Sequence, residues 1–157
     1  VTSSVNDDNT CGATIDAATG VVTFLTAGTV TVSATVADSE TYTYATKTVT
    51  YTLTVNKAAG TISFAASEVS KKIDEAKFTN TLTNTGDGSV SYASDKESVA
   101  KIDASTGEVT IMGEGTATIT ATVTDGTNYT YATKSVTYTL TVSKNSVVIG
   151  PSGGYGD

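Results

Sequence analysis

Residues 29–36 read TVTVSATV, and this octapeptide decides the fold class because its polar and apolar residues alternate strictly. Side chains of a β-strand point to the two faces of a sheet in turn, so the pattern predicts a strand with one face buried and one face in water. The segment VTYTLTV at Val49–Val55 alternates in the same way. The apolar residues of both segments are expected to share one core: Val30, Val32, Ala34, Val36, Val49, Tyr51, Leu53 and Val55.

The pattern recurs later in the chain at a shift of about 87 residues. At that shift Ala13–Lys57 aligns with Ala100–Lys144 without a gap, and about 29 of those 45 positions are identical. The string YTYATK at Tyr42–Lys47 returns unchanged at Tyr129–Lys134. Similarity of this extent within one chain predicts a duplicated folding unit.

The second copy contains strand candidates that the first copy lacks. Thr61–Phe64 and Phe78–Thr83 have strand-forming composition, with Ser67–Ile73 between them, and nothing in the first copy corresponds to them. The first copy is therefore expected to lack about 30 residues of a full period. An all-β unit without two of its strands is expected to expose core residues and strand edges. Since the sequence opens without methionine, we expect a processed or excised piece whose export signal lies elsewhere.

Composition narrows the possible functions. The chain carries 16 acidic and 9 basic residues, giving a formal charge of −7, and it has no basic cluster of the kind that nucleic acid or an anionic membrane requires. It contains no histidine, so the usual general base and the usual zinc ligand are missing. No apolar stretch reaches the length of about 18 residues that a membrane span needs. We expect a non-catalytic protein without cofactor or metal.

A longer motif carries a resemblance to a known family. Ile15–Val36 and Ile102–Val123 both follow I-D-A-x-T-G-x-V-T-x-x-x-x-G-T-x-T-[VI]-[ST]-A-T-V. This string resembles bacterial immunoglobulin-like domains of group 2. Ser91–Ser94 and Ser98–Asp103 are similar to the W-x-S-S…S-V-A-x-V-[DN] region of that family, with Tyr92 in place of its usual tryptophan.

The resemblance implies an all-β fold of tandem immunoglobulin-like antiparallel β-sandwiches. Residues 1–57 are predicted to form an incomplete repeat without its N-terminal strands, and residues 58–144 a complete one. Residues 145–157 are predicted to hold the start of a further strand and a Gly-rich tail.

The implied function is that of a structural or adhesive module of a bacterial cell-surface or secreted protein: a stalk, a spacer or an appendage subunit. The implied location is extracellular. Two alternatives remain open at this point, a module that binds glycan or host protein and a surface domain of a phage virion. The family carries no catalytic residues. The expected partner is a protein or carbohydrate at a cell surface, or a second copy of the chain bound head to tail.

Four tyrosines are the best candidates for an interaction surface: Tyr42, Tyr44, Tyr129 and Tyr131. They form two pairs, and the members of each pair lie two residues apart on a predicted strand and therefore face the same side. Exposed aromatic rows can anchor an interface. The alternative is that these rings fill the edge of a sandwich, or pair across strands with Tyr51 and Tyr138.

Other polar residues are predicted to be structural. The oxygen-rich segment Asn6–Asn9 and the acids Asp38, Glu40 and Asp125 are interpreted as turn residues, because they lack the ligand spacing of a dedicated calcium loop. Cys11, the single cysteine, is interpreted as a loop or strand-edge residue and not as a reactive thiol.

The end of the chain suggests a possible strand donor. At the same shift Val147, Val148 and Ile149 align with Gly60–Ile62, where the Thr61–Phe64 strand candidate begins. One hypothesis is that this segment of one molecule inserts into the incomplete first repeat of another and builds head-to-tail filaments. The alternative is simple truncation, because the segment supplies only one of the two absent strands.

Overall fold

The fold of the described chain consists of β-strands alone. The computed structural model describes residues 1–149. In chain order its strands are β1 (Thr2–Val5), β2 (Thr14–Ile15), β3 (Val22–Thr23), β4 (Gly28–Thr35), β5 (Thr48–Val55), β6 (Ala58–Gly60), β7 (Ile62–Phe64), β8 (Glu68–Lys72), β9 (Phe78–Thr79), β10 (Leu82–Asn84), β11 (Ser89–Ser94), β12 (Ala100–Ile102), β13 (Glu108–Ile111), β14 (Gly115–Thr124), β15 (Tyr129–Tyr131) and β16 (Ser135–Ser143). The predicted all-β class is confirmed. In this part of the chain no helix has the length and apolarity needed to cross a membrane.

The chain divides into two compact units. Unit 1 comprises Val1–Ala59 with Gly126–Thr130, and unit 2 comprises Gly60–Asp125 with the chain from Tyr131 onward. Five strands of unit 1 have a counterpart in unit 2: β1 in β11, β2 in β12, β3 in β13, β4 in β14 and β5 in β16.

Unit 2 has two main sheets around one core, and β7 pairs with β10 in a third, two-stranded sheet. The larger sheet has the order β11-β14-β16-β8, and a second sheet has the order β12-β13-β9. Val109 on β13 packs in the same buried cluster as Ile119 on β14 and Leu140 on β16, so the two sheets enclose the core as in a sandwich. Phe64 on β7 meets the Tyr138 ring edge-on, with 4.7 Å between the ring centroids.

Strand β8 was not predicted from the sequence. It pairs in parallel with β16, from Glu68 opposite Thr139 to Lys72 opposite Ser143. Its burial alternates along the strand, and Val69 packs against the core. The sequence EVSKK has a single apolar residue, so no alternation of polar and apolar residues indicates a strand there.

Unit 1 has fewer strands around a smaller core. Its sheet has the order β1-β4-β5, and β2 pairs with β3. Val30 and Val32 are buried as predicted, together with Cys11 and Ala13. Cys11 lies in the loop between β1 and β2, as expected, and its side chain is fully buried in this cluster.

The first strands of the two units do not follow the 87-residue shift. In unit 1 Thr2 pairs with Thr35. Thr122, which lies 87 residues after Thr35, pairs with Ser91, so Thr2 corresponds to Ser91 at a shift of 89 residues. Unit 1 therefore has two additional residues between its first strand and the aligned region, where Asn6–Asn9 lies.

Candidate interaction surface

A carboxylate organises the loop before each tyrosine segment. Asp38 accepts a hydrogen bond from the Tyr44 amide at 2.9 Å and forms an ion pair with Lys47 at 2.9 Å. The Tyr44 amide, and after it Lys47, lower the pKa of Asp38 because both stabilise the carboxylate. The same contacts recur in unit 2 among Asp125, Tyr131 and Lys134.

The two tyrosine segments differ in solvent exposure, although the loops before them are equivalent. Tyr131 is 2% exposed and Tyr44 is 43% exposed. The Tyr131 hydroxyl donates to the Asn84 side chain at 2.6 Å and accepts from the Gly88 amide at 2.9 Å. Residues 1–59 contain no counterpart of either partner, since Asn84 and Gly88 precede β11. Tyr44 therefore lacks the environment that buries Tyr131.

The four candidate tyrosines therefore lie in different environments. Tyr131 is a packing residue, and Tyr129 is half-buried on β15. Tyr42 and Tyr44 are exposed, but they lie outside any strand, whereas the equivalent residues of the second repeat, Tyr129 and Tyr131, lie in β15.

The first half of the core face of β5 is also exposed. Val49 and Tyr51 were predicted to lie in the core, yet they are 61% and 53% exposed. Their counterparts on β16 are the half-buried Val136 and the buried Tyr138. The difference follows from covering strands, because unit 1 has no counterpart of β7 and β8.

The backbone of β5 is open as well. In the described chain β5 has a neighbouring strand on one side only, whereas β16 lies between β14 and β8. We define the open edge of unit 1 as the unpaired side of β5 together with the side chains of Tyr44, Val49 and Tyr51. Val49 and Val36 also line a shallow cleft beside this edge.

The segment predicted as a strand donor is not in a strand. Val147, Val148 and Ile149 are almost fully exposed, and the last strand ends at Ser143. The Gly-rich tail predicted beyond them, residues 150–157, lies outside the described residues.

Side chains of the oxygen-rich segment Asn6–Asn9 accept hydrogen bonds from nearby residues of unit 1. Asp8 accepts from the Thr31 amide at 3.0 Å and from the Thr31 hydroxyl at 2.6 Å. The Thr31 hydroxyl, then its amide, lower the pKa of Asp8. Asn9 accepts from the Ala13 amide at 3.0 Å. Within residues 1–149, no three His, Cys, Asp or Glu side chains are grouped so that they could hold a metal ion.

Comparison with known families identifies part of unit 2. Residues 75–127 match the family model described as intimin, immunoglobulin-like domain. The match runs from just before β9 to the loop after β14 and includes the core residues Val109 and Ile119. This segment of unit 2 is therefore similar to an immunoglobulin-like domain. The predicted resemblance and the immunoglobulin-like fold class are thereby confirmed.

Two of the matching solved structures cover most of this chain. The S-layer protein rSbsC(31-844) is 25% identical with a TM-score of 0.48, and the match covers 94% of this chain and 20% of that chain. Human protocadherin-24 EC1-2 is 15% identical with a TM-score of 0.41, covering 92% and 82%. This chain thus spans 20% of the S-layer protein's length. The curated proteins gave no match.

Proposed function

We propose that this chain is a non-catalytic, load-bearing spacer in a protein of the bacterial surface or a secreted bacterial protein. The observation that carries the proposal is the parallel pairing of β8 with β16. The match of residues 75–127 to the intimin immunoglobulin-like domain supports a role at the cell surface.

Parallel pairing suits a module that is pulled at its two ends. β8 lies in the first part of unit 2 and β16 is its last strand. A force that separates the ends draws these two parallel strands in opposite directions along their axes. Their hydrogen bonds are spaced evenly along the strands, so the force loads them together and not one after another. Unit 2 is therefore expected to resist extension.

The hydrogen bonds at the two ends of this pairing show which backbone amides of β8 face β16. The Thr139 amide donates to the Ser67 carbonyl at 3.0 Å, and the Ile73 amide donates to the Ser143 carbonyl at 2.9 Å. Alternate residues of a parallel strand direct their amides to the same neighbour. The Lys71 amide, two residues before Ile73, therefore faces β16, and the Ser70 amide faces away.

Single-molecule pulling of the whole chain between handles at its two ends tests the proposal. Unit 2 is expected to unfold at a higher force than unit 1, and the two events can be distinguished because unit 2 releases more residues. Lys71→Pro removes an amide that faces β16, so the unfolding force of unit 2 should fall to about that of unit 1. Ser70→Pro is the matched control and should have a much smaller effect. Equal forces for the two units, or no response to Lys71→Pro, would contradict the proposal.

A second candidate function is adhesion to a glycan or to a host protein. It is favoured by the exposure of Tyr42 and Tyr44, because exposed aromatic rings can anchor interfaces. A glycan array probed with the whole chain and with the Tyr42→Ala/Tyr44→Ala variant tests this function. Binding that the variant loses would support it, and absence of binding to both proteins would leave the spacer role.

A further inference from the structure

One loop of unit 1 is supplied by the second repeat of the sequence. Gly126–Thr130 is part of the compact body of unit 1, although the residues on both sides of it, Asp125 and Tyr131, belong to unit 2. We infer that Asn128 in this loop makes the stability of unit 1 depend on the folding of unit 2. The loop stays in place in unit 1 only while unit 2 fixes the two ends of the loop.

Asn128 holds two neighbouring points of unit 1. Its side-chain oxygen accepts a hydrogen bond from the Ala27 amide at 2.9 Å, and its backbone carbonyl accepts one from the Ala58 amide at 2.8 Å. Ala27 directly precedes β4, and Ala58 follows the end of β5. Gly28 at the start of β4 pairs with Val55 at the end of β5. One residue therefore fastens the end of the longest strand pair in unit 1.

The loop keeps its own shape without the Asn128 side chain. The Gly126 amide donates to the Tyr129 carbonyl at 2.9 Å, which closes the turn. The Asp125 carboxylate accepts from the Tyr131 amide at 2.9 Å. Replacing Asn128 by alanine is therefore expected to preserve the turn and to remove the hydrogen bond to the Ala27 amide.

Tyr131 fixes the C-terminal end of the loop in unit 2. Its side chain is buried, and its hydroxyl is bonded to Asn84 and Gly88. Tyr131 comes three residues after Asn128, so the folded unit 2 restricts Asn128 to a small volume. When unit 2 unfolds, the loop becomes part of a disordered chain. Two hydrogen bonds do not offset the conformational entropy that is lost when five such residues are ordered, so the loop leaves unit 1.

The first part of the test is Asn128→Ala in the whole chain, followed by native-state hydrogen exchange. Strand β4 reports on unit 1 and β14 on unit 2. Exchange in β4 should become about tenfold faster, because the Ala27 amide loses its partner, and exchange in β14 should not change. Thr41→Ala is the matched control, since the exposed Thr41 occupies the position of Asn128 in the first repeat. It should change neither strand.

The second part unfolds unit 2 alone. Leu140 is fully buried in the core of unit 2, so Leu140→Asp places a carboxylate there and should remove all protection from β14. Exchange in β4 of unit 1 should then become about tenfold faster. Adding Asn128→Ala to Leu140→Asp should have no further effect, because the loop has already left unit 1. Thr141→Asp, at an exposed position of the same strand, is the control and should leave both units protected.

Three results would overturn the inference. The first is unchanged exchange in β4 of Leu140→Asp, which would show that unit 1 keeps its stability without unit 2. The second is equal acceleration of β4 by Asn128→Ala with and without Leu140→Asp, which would show that the loop stays bound when unit 2 is unfolded. The third is faster exchange in β14 than in β4 of Asn128→Ala, which would mean that this side chain stabilises unit 2. If Leu140→Asp removes all protection from β4, the dependence exceeds tenfold, and Asn128→Ala alone decides whether the loop causes it.

Discussion

At the scale of single residues, identical side chains have different environments in the two units. Val30 and Val32 are buried as the alternation predicts. Val49 and Tyr51 are exposed although the sequence VTYTLTV is the same as in the buried copy. Alternation predicts which side of a strand an apolar residue faces, but whether that side is covered depends on strands far away in the sequence.

Tyr138 provides a prediction on pH. Burial, and secondarily the electrostatic influence of Tyr92, raises the pKa of Tyr138 to about 12. Its hydroxyl has no hydrogen-bond partner among the described residues. Below the unfolded pKa of about 10 the residue is neutral in both states, so its contribution to stability is complete. As pH rises from about 10 to 12 the unfolded chain ionises first, and unit 2 should lose about 1–2 kcal/mol.

Tyr138→Phe should remove this alkaline loss. At pH 8 the variant should be as stable as the wild type or up to about 1 kcal/mol more stable, because it lacks a buried hydroxyl without a partner. Urea unfolding at pH 8 and pH 11 measures both effects. Tyr51→Phe is the matched control, since Tyr51 is exposed in the same heptapeptide. Equal alkaline losses in wild type and Tyr138→Phe would show that Tyr138 does not cause them.

At the scale of elements, the turns were predictable and the strand neighbours were not. The glycine turns at Gly20 and Gly107 have positive φ values of 76° and 78°, as the sequence predicts for such turns. Asp16 and Asp103 precede them, and each carboxylate accepts two backbone amides that lower its pKa. The parallel strand β8 escaped prediction because parallel pairing joins residues about 70 positions apart in the chain, and no local pattern records its partner.

These two turns give a matched pair of substitutions. Alanine at either glycine adopts an unfavourable positive φ, at a cost of about 1 kcal/mol. Gly107→Ala should cost about 1 kcal/mol more, because its Cβ would lie 2.9 Å from the Tyr92 ring, whereas the nearest atom to a Cβ at Gly20 is 3.5 Å away. Native-state hydrogen exchange of each unit measures the two costs. Equal costs would mean that the Tyr92 ring moves aside freely.

At the scale of the whole molecule, one unit is closed and the other is open. The sequence predicted the repeat and the exposure that its incomplete first copy implies, because both follow from comparing the chain with itself. It did not predict the two-residue change of register at β1, since Asn6–Asn9 shows no feature of an insertion. It also did not show which tyrosines are buried, because Tyr131 owes its burial to Asn84 and Gly88.

The open edge predicts unequal stability of the two units. Tyr44, Val49 and Tyr51 are about half exposed in unit 1, and burying side chains of this kind contributes about 1.5–3 kcal/mol each when complete. Unit 1 should therefore unfold at a lower urea concentration than unit 2, with a stability lower by about 2–4 kcal/mol. Hydrogen exchange in β4 and β14 across a urea series separates the two transitions. A single shared transition would contradict this prediction.

The buried thiol of Cys11 can report when unit 1 unfolds. The sequence contains one cysteine, and its sulfur is enclosed with Val30 and Val32. A maleimide reagent can reach that sulfur only when this core unfolds. The labelling rate therefore measures how often unit 1 unfolds, and unfolding of unit 2 does not by itself expose this sulfur. Each molecule can be labelled only once, and the added mass marks which molecules have opened. Mass spectrometry of the labelled chain therefore measures the unfolding rate of unit 1 alone, without any engineered probe.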